Sequence, residues 1–261
     1  MPEGDTIFRA ARALDQALAG RELVRFEAPR LRYPPFPAGT VVLGAEAVGK
    51  HCLIRFDDGR VLQTHMRMTG SWHLYRPGER WRKRPAAMRA LVEVPGWVAV
   101  CFAAPVVELT DAPAVEHLGP DLCRPDADLD EAVRRMGELS PPDRTIGEAL
   151  LDQRVAAGIG NIYKNEACFA CGVDPFTPVG TLDDDQRRRL LVTASQQLRA
   201  NLGNIERAFG GRGPNVYGRR DRPCRRCGTT IRWAPQGDQR RGTYWCPVCQ
   251  PAPGCVGGEV G

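Results

Sequence analysis

Pro2 and Glu3 give the start of this chain the residue types of a covalent catalyst. Removal of Met1 would leave a secondary amine at the N-terminus. An α-amino group has a pKa of about 8 against about 10.4 for a lysine side chain, so far more of it is free base at neutral pH. A secondary amine condenses with an aldehyde to an iminium ion that deprotonation cannot neutralise, which makes it an electron sink for eliminations at neighbouring carbons. Glu3 beside it can donate or accept a proton. Few side-chain amines compete, because arginine outnumbers lysine 33 to 3, the lysines being Lys50, Lys83 and Lys164. The plainer reading of a Met-Pro start is a frayed terminus without function. Other parts of the chain decide between the two.

Cys224-x2-Cys227 and Cys246-x2-Cys249, with 18 residues between the pairs, offer four thiolates on two tight turns, the ligand set of tetrahedral zinc. Four sulfur ligands leave no open coordination position, so the expected zinc is structural. Cys168-x2-Cys171 has no second pair and ends a predicted helix, so it reads as buried thiols. From Asn204 to Cys249 ten arginines stand against Glu206, Asp221 and Asp238, beside Tyr217, Trp233, Tyr244 and Trp245. A basic, aromatic segment wrapped round a metal site suits a polyanion. Residues 1–130 hold 17 basic and 17 acidic side chains and show no such excess. Asn161 follows Gly158-Ile159-Gly160 at a predicted helix start, where backbone amides and an asparagine donor suit a phosphate.

These residues need elements to hold them. Asp5 to Ala19 has apolar residues at helical spacing, Ile7, Ala11, Leu14 and Leu18. Arg21 to Leu109 reads as short strands separated by turns such as Asp58-Gly59 and Pro95-Gly96, a β-sandwich or barrel carrying the first helix. Gly119-Pro120 to about Glu131 reads as a linker. Thr145 with Glu148 has capping-box spacing and predicts a helix to about Arg154. Asn161 opens a second helix that stops at Gly172, and Thr181 with Asp184 starts a third reaching about Asn201. At 261 residues two domains are expected. No run of about 18 apolar residues exists, and an acidic N-terminus is unlike a secretory signal, so a cytoplasmic protein without a membrane partner is expected.

In combination these pieces resemble one family. The Pro2-Glu3-Gly4 start, Gly49-Lys50-His51, the His65-to-Gly70 segment His-Met-Arg-Met-Thr-Gly, the stretch from Leu151 through Asn161 to Ala167 and the four-cysteine finger are similar, in order and over nearly the whole chain, to the formamidopyrimidine-DNA glycosylase and endonuclease VIII family. The resemblance implies an α+β fold: an N-terminal helix on a β-sandwich, then a helix-two-turn-helix domain with a zinc finger, DNA lying in the cleft between. The implied divisions are 1–118 catalytic, 119–130 linker, 131–218 DNA-binding, 219–250 finger and 251–261 a disordered tail. The implied activity is removal of an oxidised base with AP lyase cleavage, by a monomer acting at the nucleoid on damaged DNA, duplex or single-stranded. Pro2 would attack C1′, Glu3 would shuttle protons, and Lys50, Asn161 and Arg241 would hold phosphates. Arg154, where relatives often carry lysine, is a further phosphate candidate.

Departures from one branch narrow the reading. The 8-oxoguanine-type members carry an Asp-x-Arg-Arg-Phe-Gly loop that fills the void left by the flipped base, whereas Cys101 to Thr110 here has no Arg-Phe pair. The segment Ile205 to Val216 is also shorter than that branch's lesion-capping loop. Met68, with Arg67, is left as the wedge; strand-end packing is its alternative. Asp5-Thr6 differs from the Pro-Glu of better-known relatives. The endonuclease VIII side, acting on oxidised pyrimidines, is therefore expected, with a formamidopyrimidine-type glycosylase or a non-catalytic zinc-dependent DNA-binding protein as alternatives.

Overall fold

Ile7, Ala11, Leu14 and Leu18 form the buried stripe of helix α1 (Gly4–Leu18) in the computed structural model, which describes residues 2–204 and 206–252. The chain divides into two units, the first ending at His117 and the second beginning at Leu118. No helix among the described residues is long and apolar enough to cross a membrane.

In the first unit α1 is followed by strands β1 (Arg21–Glu22), β2 (Arg25–Glu27), β3 (Val41–Val48), β4 (His51–Phe56), β5 (Val61–His65), β6 (Ser71–Tyr75), β7 (Met88–Val94), β8 (Trp97–Phe102) and β9 (Val106–Thr110). They make a five-stranded sheet in the order β1-β3-β4-β5-β9 and a four-stranded sheet in the order β2-β7-β8-β6. Alternation along the strands sorts their side chains. Val42, Ile54, Phe56 and Leu62 of one sheet and Ala90, Val92, Ala99 and Cys101 of the other meet the stripe of α1 in one core. Leu91, Val98, Val100 and Phe102 point the opposite way and bury Tyr75 and half-bury Trp81. Asp15 ties α1 to a bulge in β3: its carboxylate accepts from the Ala45 amide at 2.9 Å, and a Cβ at Gly44 would stand 2.9 Å from the same oxygen.

The second unit begins at Leu118, and sequence alone assigns 119–130 to a linker. That segment is not a spacer: Leu122 and Cys123 are buried, and the Leu122 carbonyl accepts from Ser195 Oγ at 3.0 Å. Helices α2 (Leu129–Leu139), α3 (Ile146–Ala149), α4 (Asn161–Cys171) and α5 (Asp184–Ala200) follow, then the hairpin β10 (Arg232–Gln236) and β11 (Arg241–Trp245). α4 ends where Gly172 takes a left-handed φ of 72°, a conformation glycine adopts without steric cost.

One expected helix end and one expected helix start are corrected. Thr145 precedes a single turn rather than a helix to Arg154, because its hydroxyl donates to Glu148 Oε2 at 2.5 Å and makes no bond to the helix backbone. The Leu151 and Asp152 amides then bond three residues back, to Glu148 and Ala149, closing the turn. α5 is capped by Asp183, not Thr181. Asp183 Oδ1 accepts from the Gln186 amide at 2.7 Å and Gln186 Oε1 from the Asp183 amide at 3.0 Å, a reciprocal box that leaves Thr181 in the preceding 3-10 turn. Of the tail expected from 251, residues 253–261 lie outside the described residues.

Candidate functional site

The start of α1 presents Pro2 and Glu3. Pro2 is half-exposed, and Glu3 is the residue before the first helical turn, with extended backbone (φ −130°, ψ −177°) and its carbonyl accepting from the Thr6 and Ile7 amides. Its side chain is buried and does not cap the helix.

Lys50 stands at the tip of the β3–β4 hairpin. Val48 and His51 are the closing pair, and Gly49 takes φ 58°, so a glycine in the first central position turns the chain in two residues and Lys50 occupies the second. His51 and His65 follow on paired strands, ring centroids 4.8 Å apart. Gln63 Oε1 accepts from the Ala114 amide at 3.1 Å, so its Nε2 is the group that donates to His51 Nδ1 at 3.0 Å. The Arg67 amide donates to His65 Nδ1 at 3.2 Å. Both rings therefore accept at Nδ1 and are neutral with the proton on Nε2. Their electrostatics agree. Burial first, then His65, His117 and Lys50, lower the His51 pKa to about 4, and burial, Lys50 and Arg67 lower that of His65.

The His65–Arg67 bond belongs to a sharp turn. Arg67 has φ 43°, the Gly70 amide returns to the Met66 carbonyl at 2.8 Å, and Thr69 Oγ1 donates to the Ala103 carbonyl at 2.9 Å. Met68 at its apex is 62% exposed, so it does not pack at a strand end. The connection from β8 to β9 is only 103–105, pinned by the bond from the Ala103 amide to the Ala87 carbonyl. It has no length for a projecting loop.

In the second unit the segment before α4 is braced by one side chain. Gln153 Oε1 accepts from the Gly158 amide and its Nε2 donates to the Leu151 and Ile159 carbonyls. Gly158 takes φ 99° there. On α4, Asn161, Lys164 and Asn165 share one face by their spacing, and all three bind β11. Asn161 Nδ2 donates to the Gly242 carbonyl at 2.8 Å, Lys164 Nζ to Thr243 Oγ1 at 2.6 Å, and Asn165 Oδ1 accepts from the Tyr244 amide at 2.6 Å. Asn161 is thus joined to the residue following Arg241. Arg241 itself is half-buried and steered by two bonds to Gln239 Oε1. Sequence reasoning singled out Asn161 and Arg241 and gave no role to Lys164 and Asn165, whose i+3 and i+4 spacing was the available signal for the shared face. Arg154 is exposed but bonded through Nε and Nη2 to Asp152, which also takes Arg144 Nη1. These bonds outweigh burial and hold the Asp152 carboxyl below the usual carboxylate range.

The Sγ atoms of Cys224, Cys227, Cys246 and Cys249 all lie within 4.8 Å of one another. A tetrahedral zinc with sulfurs at 2.3 Å separates those sulfurs by about 3.8 Å. Cys224–Cys249 at 3.9 Å and Cys227–Cys246 at 3.4 Å fit that cage. The Arg226 amide donates to Cys224 Sγ and the Cys249 amide to Cys246 Sγ, the backbone support a thiolate needs. Hydrogen bonds from Thr229 hold the Cys227 thiol down to about 6. Cys168 is buried and Cys171 bonds Thr193 Oγ1, outside this cluster.

Family profiles match in two places. One described as the formamidopyrimidine-DNA glycosylase N-terminal domain matches residues 1–103, and one described as the H2TH domain of the same glycosylase matches 118–207. The chain is 46% identical to a probable endonuclease 8 2 of Streptomyces coelicolor, over 97% of this chain and 95% of the relative. The chain belongs to the formamidopyrimidine-DNA glycosylase and endonuclease VIII family. Within the family it is also 40% identical to DNA-(apurinic or apyrimidinic site) lyase Nei2 of Mycolicibacterium smegmatis, over 97% of this chain and all of that one. The family fold is shared with the Lactococcus lactis formamidopyrimidine DNA glycosylase solved with DNA containing an AP site. The TM-score is 0.79 at 22% identity, covering 96% of this chain and all of that one.

Proposed function

We propose that this family member is a bifunctional DNA glycosylase and AP lyase of base excision repair, with Pro2 as nucleophile and oxidised pyrimidines as preferred lesions. Lyase action is supported most directly by Pro2 and Glu3 at the start of α1 in a chain so similar to a lyase of that description. In the reading, the Pro2 nitrogen bonds to C1′ as the glycosidic bond breaks and the base leaves protonated. Glu3 moves the proton that opens the sugar ring, giving the iminium. Loss of a C2′ proton expels the 3′ phosphate, and loss of a C4′ proton then expels the 5′ phosphate. Lys50 on its hairpin tip holds a phosphate, and Asn161 and Arg241, tied through Gly242, hold the backbone round a flipped nucleotide. Arg154 reaches a phosphate only by giving up part of its grip on Asp152, so we assign it the smallest share.

The four-cysteine cage takes zinc, which supplies folding energy to the finger and no chemistry. The unit ending at His117 is the catalytic division, and the one beginning at Leu118 is the DNA-binding division with its finger.

The lesion preference is supported by the connection at 103–105 and by exposed Met68 beside Arg67. An apolar plug fills the void but offers the orphaned base no matched donors and acceptors. Extrusion also costs less where the base is already unpaired. Single-turnover cleavage of oligonucleotides, each with one lesion, tests this. Oxidised pyrimidines should be excised fastest, with little dependence on the opposite base and appreciable cutting in bubbles. Fastest excision of 8-oxoguanine opposite cytosine, suppressed by adenine, would overturn it.

A further inference from the structure

The even charge balance of residues 1–130 conceals a cluster. Arg80-Trp81-Arg82-Lys83-Arg84 places four cations in five residues of the β6–β7 connection. The connection is built rather than loose. A turn at 76–79 is closed by the Glu79 amide on the Arg76 carbonyl at 3.0 Å and by the Arg76 amide on Glu79 Oε2 at 2.9 Å. Glu79, the acid within it, is thereby occupied. Trp81 is half-buried, its ring 5.6 Å edge-on from Phe102 and 6.4 Å from Tyr75. The Arg82 amide donates to the Tyr75 hydroxyl at 3.1 Å, and Lys83 Nζ to Ser71 Oγ at 2.8 Å.

Burial therefore alternates. Trp81 and Lys83 turn inward, and Arg80, Arg82 and Arg84 turn to solvent. None of these three side chains has a hydrogen bond or ion pair among the described residues, whereas Arg25, Arg55, Arg60, Arg134 and Arg144 are each paired with a carboxylate. Three like charges anchored side by side repel one another, and that cost is recovered when a polyanion replaces their counterions. Because the backbone is already fixed, binding has only the three side chains left to order.

We propose that Arg80, Arg82 and Arg84 form a DNA-backbone contact on the first unit, additional to Lys50, Asn161 and Arg241. The inference rests on the DNA-repair reading for its polyanion. The contact is independent of sequence and lesion, because arginines on phosphate position a duplex without reading it.

The test is the salt dependence of binding to a labelled duplex with a tetrahydrofuran abasic-site analogue, which requires no chemistry. The slope of log K against log salt should fall by about 2.7 in the triple variant R80Q/R82Q/R84Q, at about 0.9 per phosphate. R80K/R82K/R84K should restore it. The triple R12Q/R30Q/R32Q, an equal charge change at exposed arginines elsewhere on the unit, should keep the parent's slope. Parental slope in R80Q/R82Q/R84Q, or an equal fall in both Gln triples, would overturn the contact. A selective fall supports it even if borohydride traps no adduct, an outcome that would count against the lyase reading alone.

Discussion

Asn161 shows how far a single residue can be read from sequence. Its type and its place at a helix start suggested a phosphate donor, but one amide N–H is used on Gly242, a partner 81 positions away. Nothing local could reveal that bond. Its consequence is that Asn161→Ala should both remove a contact and loosen the strand carrying Arg241. In a double-mutant cycle on DNA affinity, Asn161→Ala and Arg241→Ala should be coupled by about 0.5–3 kcal/mol, the range for residues sharing a network. Additive losses would show that the tie to Gly242 is energetically idle. The histidines were visible only as part of a motif, and their neutral, accepting state comes from Gln63, Ala114 and Arg67. Because the folded-state pKa of His51 is depressed to about 4, the unfolded chain binds the extra proton first as pH falls from about 6.5. Its contribution to stability is complete above that pH and declines towards pH 4. His51→Asn should lose stability less steeply over this window in denaturant titrations. Identical slopes for variant and parent would contradict the assignment.

Elements with strong local signals were the legible ones. The stripe of α1 and the Gly172 stop of α4 follow from spacing and from one glycine, and both agree with the structure. Thr181 misled, and Thr145 marked the start of its helix but not its length, because capping spacing says nothing of competing partners. Thr145 is held from afar by Gln236 Nε2 at 2.8 Å, and Asp183 is simply the better-placed acceptor for Gln186. The linker reading of 119–130 failed for a related reason: Pro, Gly and acidic residues mark irregular backbone, not exposed backbone. The turn from His65 to Gly70 was legible as a motif, but its geometric requirement was not. A Cβ on Gly70 would stand 2.7 Å from Met66 Cα and 3.0 Å from Ala104 Cα, contacts with backbone on two sides. Gly70→Ala should cost about 1–3 kcal/mol, the usual range for overpacking, and should lower excision more than it lowers binding of undamaged duplex. Unchanged stability and excision would show that the turn relaxes without consequence.

For the whole molecule, each unit carries part of the proposed machinery, so each can be disabled by itself. Cys246→Ser should lose zinc, measured by metal content. It should also release β11 from Asn161, Lys164 and Asn165, cutting DNA affinity as much as or more than Arg241→Ala while far-ultraviolet signals from the first unit persist. Full DNA affinity without zinc would separate the finger from binding. Net charge was a poor guide at this scale, since the balance over residues 1–130 averaged away the arginines at 80–84. The central claim, that the N-terminal amine performs the chemistry, is tested most directly by borohydride reduction of the protein mixed with abasic-site DNA, followed by proteolysis and mass spectrometry. One covalent adduct is expected, carried by the peptide that begins at Pro2 and missing when the N-terminus is blocked. An adduct on Lys50, or undiminished trapping by the blocked protein, would contradict it.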